Sequence, residues 1–204
     1  MKSKNLLLIF IRNPKLGQVK TRLAKDIGAV NALNIYHFLS SHTCKITQQV
    51  VHCDKQVWYS EFIDKDDIWS SETFEKQVQK GNNLGERLQN AFEEGFTKGY
   101  EKIIVIGSDL FEIHELEIQE SFDILNTKEA VIGPAKDGGY YLIGFSKCMP
   151  SDIFTGISWG ENSVLQETKK RLIGTKYQEL ALKNDIDYLE DIINIPEFQC
   201  FLKK

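Results

Sequence analysis

Apolar and polar positions along this chain alternate between two rhythms. Leu6-Leu7-Leu8-Ile9-Phe10-Ile11 and Lys102-Ile103-Ile104-Val105-Ile106 are short, nearly unbroken apolar runs, the pattern of strands buried on both faces. Between them, Arg22 to about Gln49 carries Leu23, Ile27, Leu33, Tyr36 and Leu39 on one face, which predicts one long or broken helix. Gln56 to Tyr59 predicts a short strand and Thr73 to Gln79 another, with Trp69 to Ser71 in a loop. Leu84 to Lys98 is helical, with Leu84, Leu88, Ala91 and Phe92 at the expected offsets, and Leu116 to Leu125 is a second amphipathic helix. Ala130 to Ile132 and Tyr140 to Phe145 read as strands flanking a Gly-rich turn. Glu161 to Ile173 reads as a helix, Tyr177 to Leu182 as a strand and Leu189 to Ile193 as a closing helix.

This alternation predicts an α/β fold, three layers deep, around a mainly parallel sheet. With 204 residues, no internal repeat and no low-complexity linker, residues 1–204 are expected to form one domain with a substantial core. Ligands of open α/β sheets sit beyond the carboxyl ends of the strands. That rule points to the loops at Arg12, Gly107 and Gly133.

The formal charge of −4 argues against a nucleic-acid partner, which would require an excess of Lys and Arg. An acidic protein that holds a polyanion must concentrate its cations locally or recruit a metal. Cys44, Cys53, Cys148 and Cys200 form no CxxC pair and no zinc spacing with the four histidines; they are expected to be reduced, mostly buried thiols in a cytoplasmic protein. The Leu6 to Ile11 run is too short for a signal peptide, and Arg12 and Asn13 stand where a cleavage site would lie. No stretch reaches transmembrane length, so a soluble protein with no membrane partner is expected.

Five segments carry candidate chemistry. Arg12-Asn13-Pro14-Lys15-Leu16-Gly17-Gln18-Val19-Lys20-Thr21-Arg22 puts four cations into eleven residues directly after an apolar strand. Backbone N–H groups of such a loop and the following helix N-terminus attract phosphate, and Lys20 and Arg22 add full charges. Gly17 would let the backbone approach the oxygens closely. The spacing fits neither a Walker A loop nor a Gly-x-Gly-x-x-Gly turn, and a solvated basic loop is the plain alternative. Gly107-Ser108-Asp109 ends the second apolar strand; its carboxylate could hold Mg2+, or Asp109 with Glu112 could form a capping box. Gly133-Pro134-Ala135-Lys136-Asp137-Gly138-Gly139-Tyr140-Tyr141 could admit a ligand against bare backbone beside Asp137, or form a plain hairpin turn. Asn184-Asp185-Ile186-Asp187-Tyr188-Leu189-Glu190-Asp191 has more acid than a cap needs, although Asp187 with Glu190 fits a capping box. Gln79-Lys80-Gly81-Asn82-Asn83-Leu84-Gly85-Glu86-Arg87 could reach a base edge through backbone and Gln79, or simply supply an Asn N-cap.

Together and in this order, Phe10-x-Arg12-x-Pro14-x-x-Gly17-x-x-Lys20-Thr21-Arg22-Leu23, Leu84-Gly85-Glu86-Arg87-Leu88, Gly107-Ser108-Asp109, Gly133-Pro134-Ala135-x-Asp137-Gly138-Gly139-Tyr140-Tyr141 and Asp185-Ile186-Asp187-x-x-x-Asp191 resemble the bacterial arsenosugar-biosynthesis-type glycosyltransferase family. That family is similar to the molybdenum-cofactor and phospholactate guanylyltransferases. The resemblance implies the GT-A, or nucleotide-diphospho-sugar transferase-like, fold. It further implies that Arg12, Gly17, Lys20 and Arg22 bind phosphates, and that Gln79 and Gly85 lie near the base. Asp109 and Asp187 would hold the divalent metal, and Asp137 would face the second substrate. Two segments depart from the family pattern: Leu110-Phe111 replaces Cys-Pro after Gly-Ser-Asp, and Gly160-Glu161-Asn162 replaces Ser-Thr after Trp159.

The expected function is a Mg2+- or Mn2+-dependent transferase acting on a nucleotide-activated donor, an NDP-sugar, with a small-molecule acceptor. Lys20 and Arg22 would meet charge that accumulates in the transition state, and Asp137 would orient or deprotonate the acceptor hydroxyl. The rival enzyme is a nucleotidyltransferase that joins an NTP to a phosphorylated acceptor and releases pyrophosphate. A catalytically silent nucleotide-binding module is the alternative from a different class. The sequence leaves the oligomeric state open.

Overall fold

The computed structural model describes residues 3–202. Its elements in chain order are β1 (Asn5–Ile11), α1 (Ala24–Ile27), α2 (Ala29–Gln49), β2 (Asp54–Tyr59), β3 (Glu75–Val78), α3 (Leu84–Thr97) and β4 (Lys102–Ile106). They are followed by α4 (Glu115–Ile124), β5 (Ala130–Pro134), β6 (Tyr140–Ser146), α5 (Val164–Arg171), β7 (Tyr177–Glu179) and a last short helix, α6 (Gln199–Leu202). Among the described residues, no helix is long and apolar enough to cross a membrane.

The strands form one seven-stranded sheet in the order β3-β2-β1-β4-β6-β5-β7. β6 runs antiparallel to both β4 and β5, and every other neighbouring pair is parallel. β1 lies near the centre, paired on both sides, so its residues alternate between two covered faces. Leu7, Ile9 and Ile11 join a core with Cys44 and Ile46 of α2 and Ile118 and Phe122 of α4. Leu6, Leu8 and Phe10 join a second core with Leu88, Ala91 and Phe92 of α3 and with Phe145, Phe154 and Leu172. The expected three-layer α/β architecture is therefore what forms. Leu6 to Ile9 are fully buried, and each such side chain contributes roughly 1.5–3 kcal/mol by leaving water.

A third cluster decides where the site lies. Leu23, Ile35 and Leu39, from the start of the helical region, pack against Ile186, Ile192 and Phe198 from the C-terminal segment. This contact folds the C-terminal segment back over the loop that follows β1.

Several boundaries differ from the sequence reading for identifiable reasons. The long helix breaks at Gly28, whose φ is 83°, a backbone value that favours glycine. The expected helix over Glu161 to Ile173 begins only at Val164: Gly160 takes φ 89°, and residues 161–163 that follow it stay in a bend and turn. The expected closing helix is a single 3-10 turn over Leu189–Asp191, with α6 added after Pro196. The strand expected to reach Leu182 ends at Glu179. The four thiols are free, but Cys148 and Cys200 are exposed; a loop and a terminal helix have no second layer to cover them.

Candidate functional site

At the carboxyl ends of β1 and β4, the chain encloses an open cavity of about 470 Å3. Its walls come from the loop after β1, the loop after β4, the β5–β6 turn, the 158–163 loop and the segment after β7. Arg12, Lys20, Arg22, Asp109, Asp137 and Asp187 all line it.

The loop after β1 is anchored from two directions. Tyr36 of α2 donates its hydroxyl to the Arg12 carbonyl at 2.7 Å and accepts the Arg12 N–H at 2.9 Å. The buried Asn13 donates to the Phe62 carbonyl and accepts the Glu61 N–H, tying this loop to the one after β2. With its first two residues fixed, the chain turns through Gly17 and then through Lys20, whose φ is 48°. A lysine in left-handed backbone costs on the order of 1 kcal/mol and persists only where its surroundings demand it. The demand here is electrostatic. The Lys20 ammonium, almost wholly buried, lies 3.1 Å from Asp109 Oδ2 and 3.1 Å from Asp187 Oδ1. Burial pulls its pKa down, but Asp109 and Asp187 together outweigh that, and the net direction is up. Arg22 Nη1 meets the other oxygen of Asp187 at 3.0 Å and lies over the Tyr188 ring at 5.6 Å.

The carboxylates reach this point because the plain alternatives are taken by other residues. Asp109 caps nothing: α4 begins after His114, where Glu117 accepts the His114 N–H. Asp187 and Glu190 form no capping box either. Asp191 accepts the N–H groups of Asp187 and Tyr188 at 2.9 and 2.6 Å, which leaves the Asp187 side chain free to face Lys20. Ile186 points into the third cluster, and its N–H donates to the Asp109 carbonyl at 3.1 Å. The neighbouring Asp185 and Asp187 consequently line the cavity. Burial, then the charges of Asp137 and Asp187, push the Asp185 carboxyl up to about 6.

A divalent cation is tested by one further atom. Asp109 Oδ1 is buried without a hydrogen-bond partner among the described residues, and a buried orphan oxygen is costly unless something charged meets it. Among the described residues, no group of three or more His, Cys, Asp or Glu side chains is placed to hold a metal ion. Mg2+ is commonly held by one or two carboxylates and completed by water and substrate phosphates. Asp109 fits that mode through its unpartnered Oδ1, whereas both oxygens of Asp187 are engaged by Lys20 and Arg22, so Asp187 would join a metal only by exchanging one of those ion pairs.

The other positions singled out in the sequence lie elsewhere. Gln79 donates to the carbonyls of Ile11 and Trp58 at 3.1 and 2.8 Å and accepts from Arg87; it satisfies strand ends and does not line the cavity. Gly85 is buried beneath Trp159, and a Cβ there would lie 2.6 Å from the Phe154 carbonyl oxygen. Asn83 caps α3 by accepting the Glu86 N–H. Gly17 is exposed at the turn closed by Gln18 N–H on the Lys15 carbonyl. Residues not singled out as binding groups also line the cavity, notably Tyr36, Tyr140, Trp159, Glu161 and Asp185. Tyr36 sat in the helix's apolar stripe, where its hydroxyl gave no separate signal.

A family model described as "Uncharacterized protein conserved in bacteria (DUF2064)" matches residues 43–161. No curated protein is similar in sequence. The structure of a proposed nucleotide-diphospho-sugar transferase from Desulfovibrio desulfuricans G20 superposes with a TM-score of 0.84 at 32% identity, covering 91% of this chain and 83% of that one. A cytidylyltransferase from Leptospira borgpetersenii serovar Hardjo-bovis (strain JB197) gives a TM-score of 0.59 at 14% identity, covering 93% and 83%. A 4-diphosphocytidyl-2C-methyl-D-erythritol synthase from Anaerococcus prevotii DSM 20548 gives 0.57 at 13% identity, covering 98% and 97%. At those last identities the likeness is one of fold: the nucleotide-diphospho-sugar transferase-like fold.

Proposed function

The chain belongs to the bacterial DUF2064 family, and from that premise we propose that it is a metal-dependent glycosyltransferase acting on an NDP-sugar. Within the fold superfamily, the ordered motifs favour the arsenosugar-biosynthesis-type branch, with residues 1–204 acting as one cytoplasmic domain. The observation that carries the reading is Lys20, held between Asp109 and Asp187 beside Arg22 at the mouth of β1 and β4. Cations and carboxylates converging where strands end suit a diphosphate with a divalent cation, and local charge resolves how an acidic protein takes a polyanion.

In this reading Arg12, Lys20 and Arg22 bind the donor phosphates, with Gly17 shaping their loop and Gln79 fixing the strand end that leads into it, and Gly85, packed under Trp159, shapes the wall nearest the base. Asp109 and Asp187 would hold Mg2+ or Mn2+, which would supply Lewis-acid neutralisation of the diphosphate when bound. Lys20 and Arg22 stabilise the charge that grows on the leaving group. The acceptor hydroxyl oxygen forms a bond to the anomeric carbon, and the anomeric C–O bond to phosphate breaks. The nucleoside diphosphate leaves with the electron pair, and Asp137 receives the hydroxyl proton.

The competing reading is nucleotidyl transfer from an NTP to a phosphorylated acceptor, favoured by how closely the cations cluster in the first loop. Product analysis separates them. Incubation with NDP-sugars, Mn2+ and hydroxylated acceptors is expected to release nucleoside diphosphate; pyrophosphate release from NTP and sugar phosphates would overturn glycosyl transfer.

A further inference from the structure

We infer that the acceptor half of the cavity takes a polyol carrying no phosphate, with an amine-bearing polyol favoured over a neutral one. The inference rests on the transferase reading above and assigns its second substrate. The loops around the site divide its charge unevenly. The cations of the lining, Arg12, Lys20 and Arg22, all come from the loop after β1. Beyond Asp109, after β4, the lining from the β5–β6 turn, the 158–163 loop and the segment after β7 contributes no cation; it contributes Asp187, which turns back onto Lys20, and Asp137, Glu161 and Asp185.

These three carboxylates differ from the two beside Lys20. Asp109 and Asp187 share the Lys20 ammonium, and Asp187 also meets Arg22. Asp137, Glu161 and Asp185 form no ion pair among the described residues; Asp137 accepts only the Gly139 N–H, at 2.8 Å. A phosphate ester placed among them would meet like charge on several sides, which is how a site rejects a wrong partner. Hydroxyl groups would donate to their oxygens, and an ammonium would give them the counter-ion they lack.

The surface is held in place. A Cβ on Gly138 would lie 2.2 Å from the Asn162 carbonyl oxygen, and Leu165 N–H donates to the Gly138 carbonyl at 2.8 Å. The β5–β6 turn is thereby locked against the loop that carries Trp159 and Glu161. Tyr140 and Trp159 meet edge to face, with ring centroids 6.3 Å apart, and add an apolar wall beside the acids. Aromatic surface with a few carboxylates suits the apolar faces and hydroxyls of a sugar-like ring.

The test uses the full chain saturated with Mn2+ and whichever nucleoside diphosphate raises its melting temperature most. Glucosamine, glucose and glucose 1-phosphate are then titrated by calorimetry. Glucosamine is expected to bind at least about tenfold more tightly than glucose 1-phosphate, with glucose between them. The Glu161→Gln and Asp137→Asn double variant is expected to lose most of that advantage while still binding the nucleoside diphosphate. Glucose 1-phosphate binding as well as glucosamine, or no advantage for glucosamine because neither binds, overturns the inference alone. Failure of every nucleoside diphosphate to bind removes the transferase reading and the inference with it.

Discussion

Replacing Lys20 with Met keeps the length of the side chain but removes the charge that joins Asp109 to Asp187. Each of the two contacts is 3.1 Å long; at an effective dielectric constant of about 20, each represents about 5 kcal/mol of attraction before desolvation. Burying the ammonium takes back several kcal/mol, and breaking buried pairs typically costs about 3–5 kcal/mol. Asp109 is nearly half exposed and Asp187 keeps Arg22, so the expected loss for Lys20→Met is about 2–3 kcal/mol. Urea unfolding at neutral pH in chelator measures it. The raised pKa of folded Lys20 means that the contribution is complete below the unfolded value of 10.5 and disappears only as pH rises through the folded value. The difference between the two proteins should thus stay constant from about pH 6 to 9. The same variant should bind free Mn2+ more tightly than the parent, because the ammonium no longer occupies the carboxylate oxygens. A loss below about 0.5 kcal/mol, together with unchanged Mn2+ affinity, would refute the reasoning.

Asp185 has a folded pKa of about 6 against an ordinary 3.8, so the folded state binds more protons in that interval and stability falls as pH rises through it. Asp185→Asn is expected to stabilise the metal-free protein by about 1–2 kcal/mol near pH 8, after discounting for partial exposure, and by little below pH 4; paired chemical denaturation at the two pH values checks this. Tyr36→Phe removes the hydroxyl that serves both the Arg12 N–H and its carbonyl, and should cost about 1–3 kcal/mol and weaken nucleotide binding several-fold by calorimetry. Gly85→Ala drives a Cβ to within 2.6 Å of the Phe154 carbonyl oxygen. Such overpacking costs about 1–3 kcal/mol, or several degrees in Tm for a chain of this size, which thermal unfolding would register.

The layers were legible because β1 and β4 are buried on both faces and carry near-continuous apolar runs that no surface element would tolerate. The helix break at Gly28 was less legible, since the apolar face continues across it and only the backbone angle enforces it. The site was readable as a set of loops, because the carboxyl ends of adjacent strands must meet whatever the side chains are. The partner of each acid was not readable. Asp109 and Asp187 lie far apart in the chain, and their meeting depends on Ile186, Ile192 and Phe198 folding onto Leu23, Ile35 and Leu39, a contact without local periodicity. Capping motifs misled for the same reason: Asp187-x-x-Glu190 fits the pattern, yet Asp191 does the capping. Gln79 looked like a ligand group because loops after strands hold ligands, but its amide closes the ends of β1 and β2. Tyr36 was hidden in an apolar stripe, where spacing reports the ring and says nothing of the hydroxyl.

In the proposed transferase, Asp109 and Asp187 hold a divalent cation together with a diphosphate bound by Lys20 and Arg22. Calorimetric titration of nucleoside diphosphates into the parent and Asp109→Ala proteins, each with Mn2+ and with chelator, tests it most directly. Parent binding is expected to tighten at least tenfold with Mn2+, and Asp109→Ala to lose that gain while unfolding at a similar temperature. Equal affinities with and without Mn2+ in the parent, or a full Mn2+ effect surviving in Asp109→Ala, would contradict it.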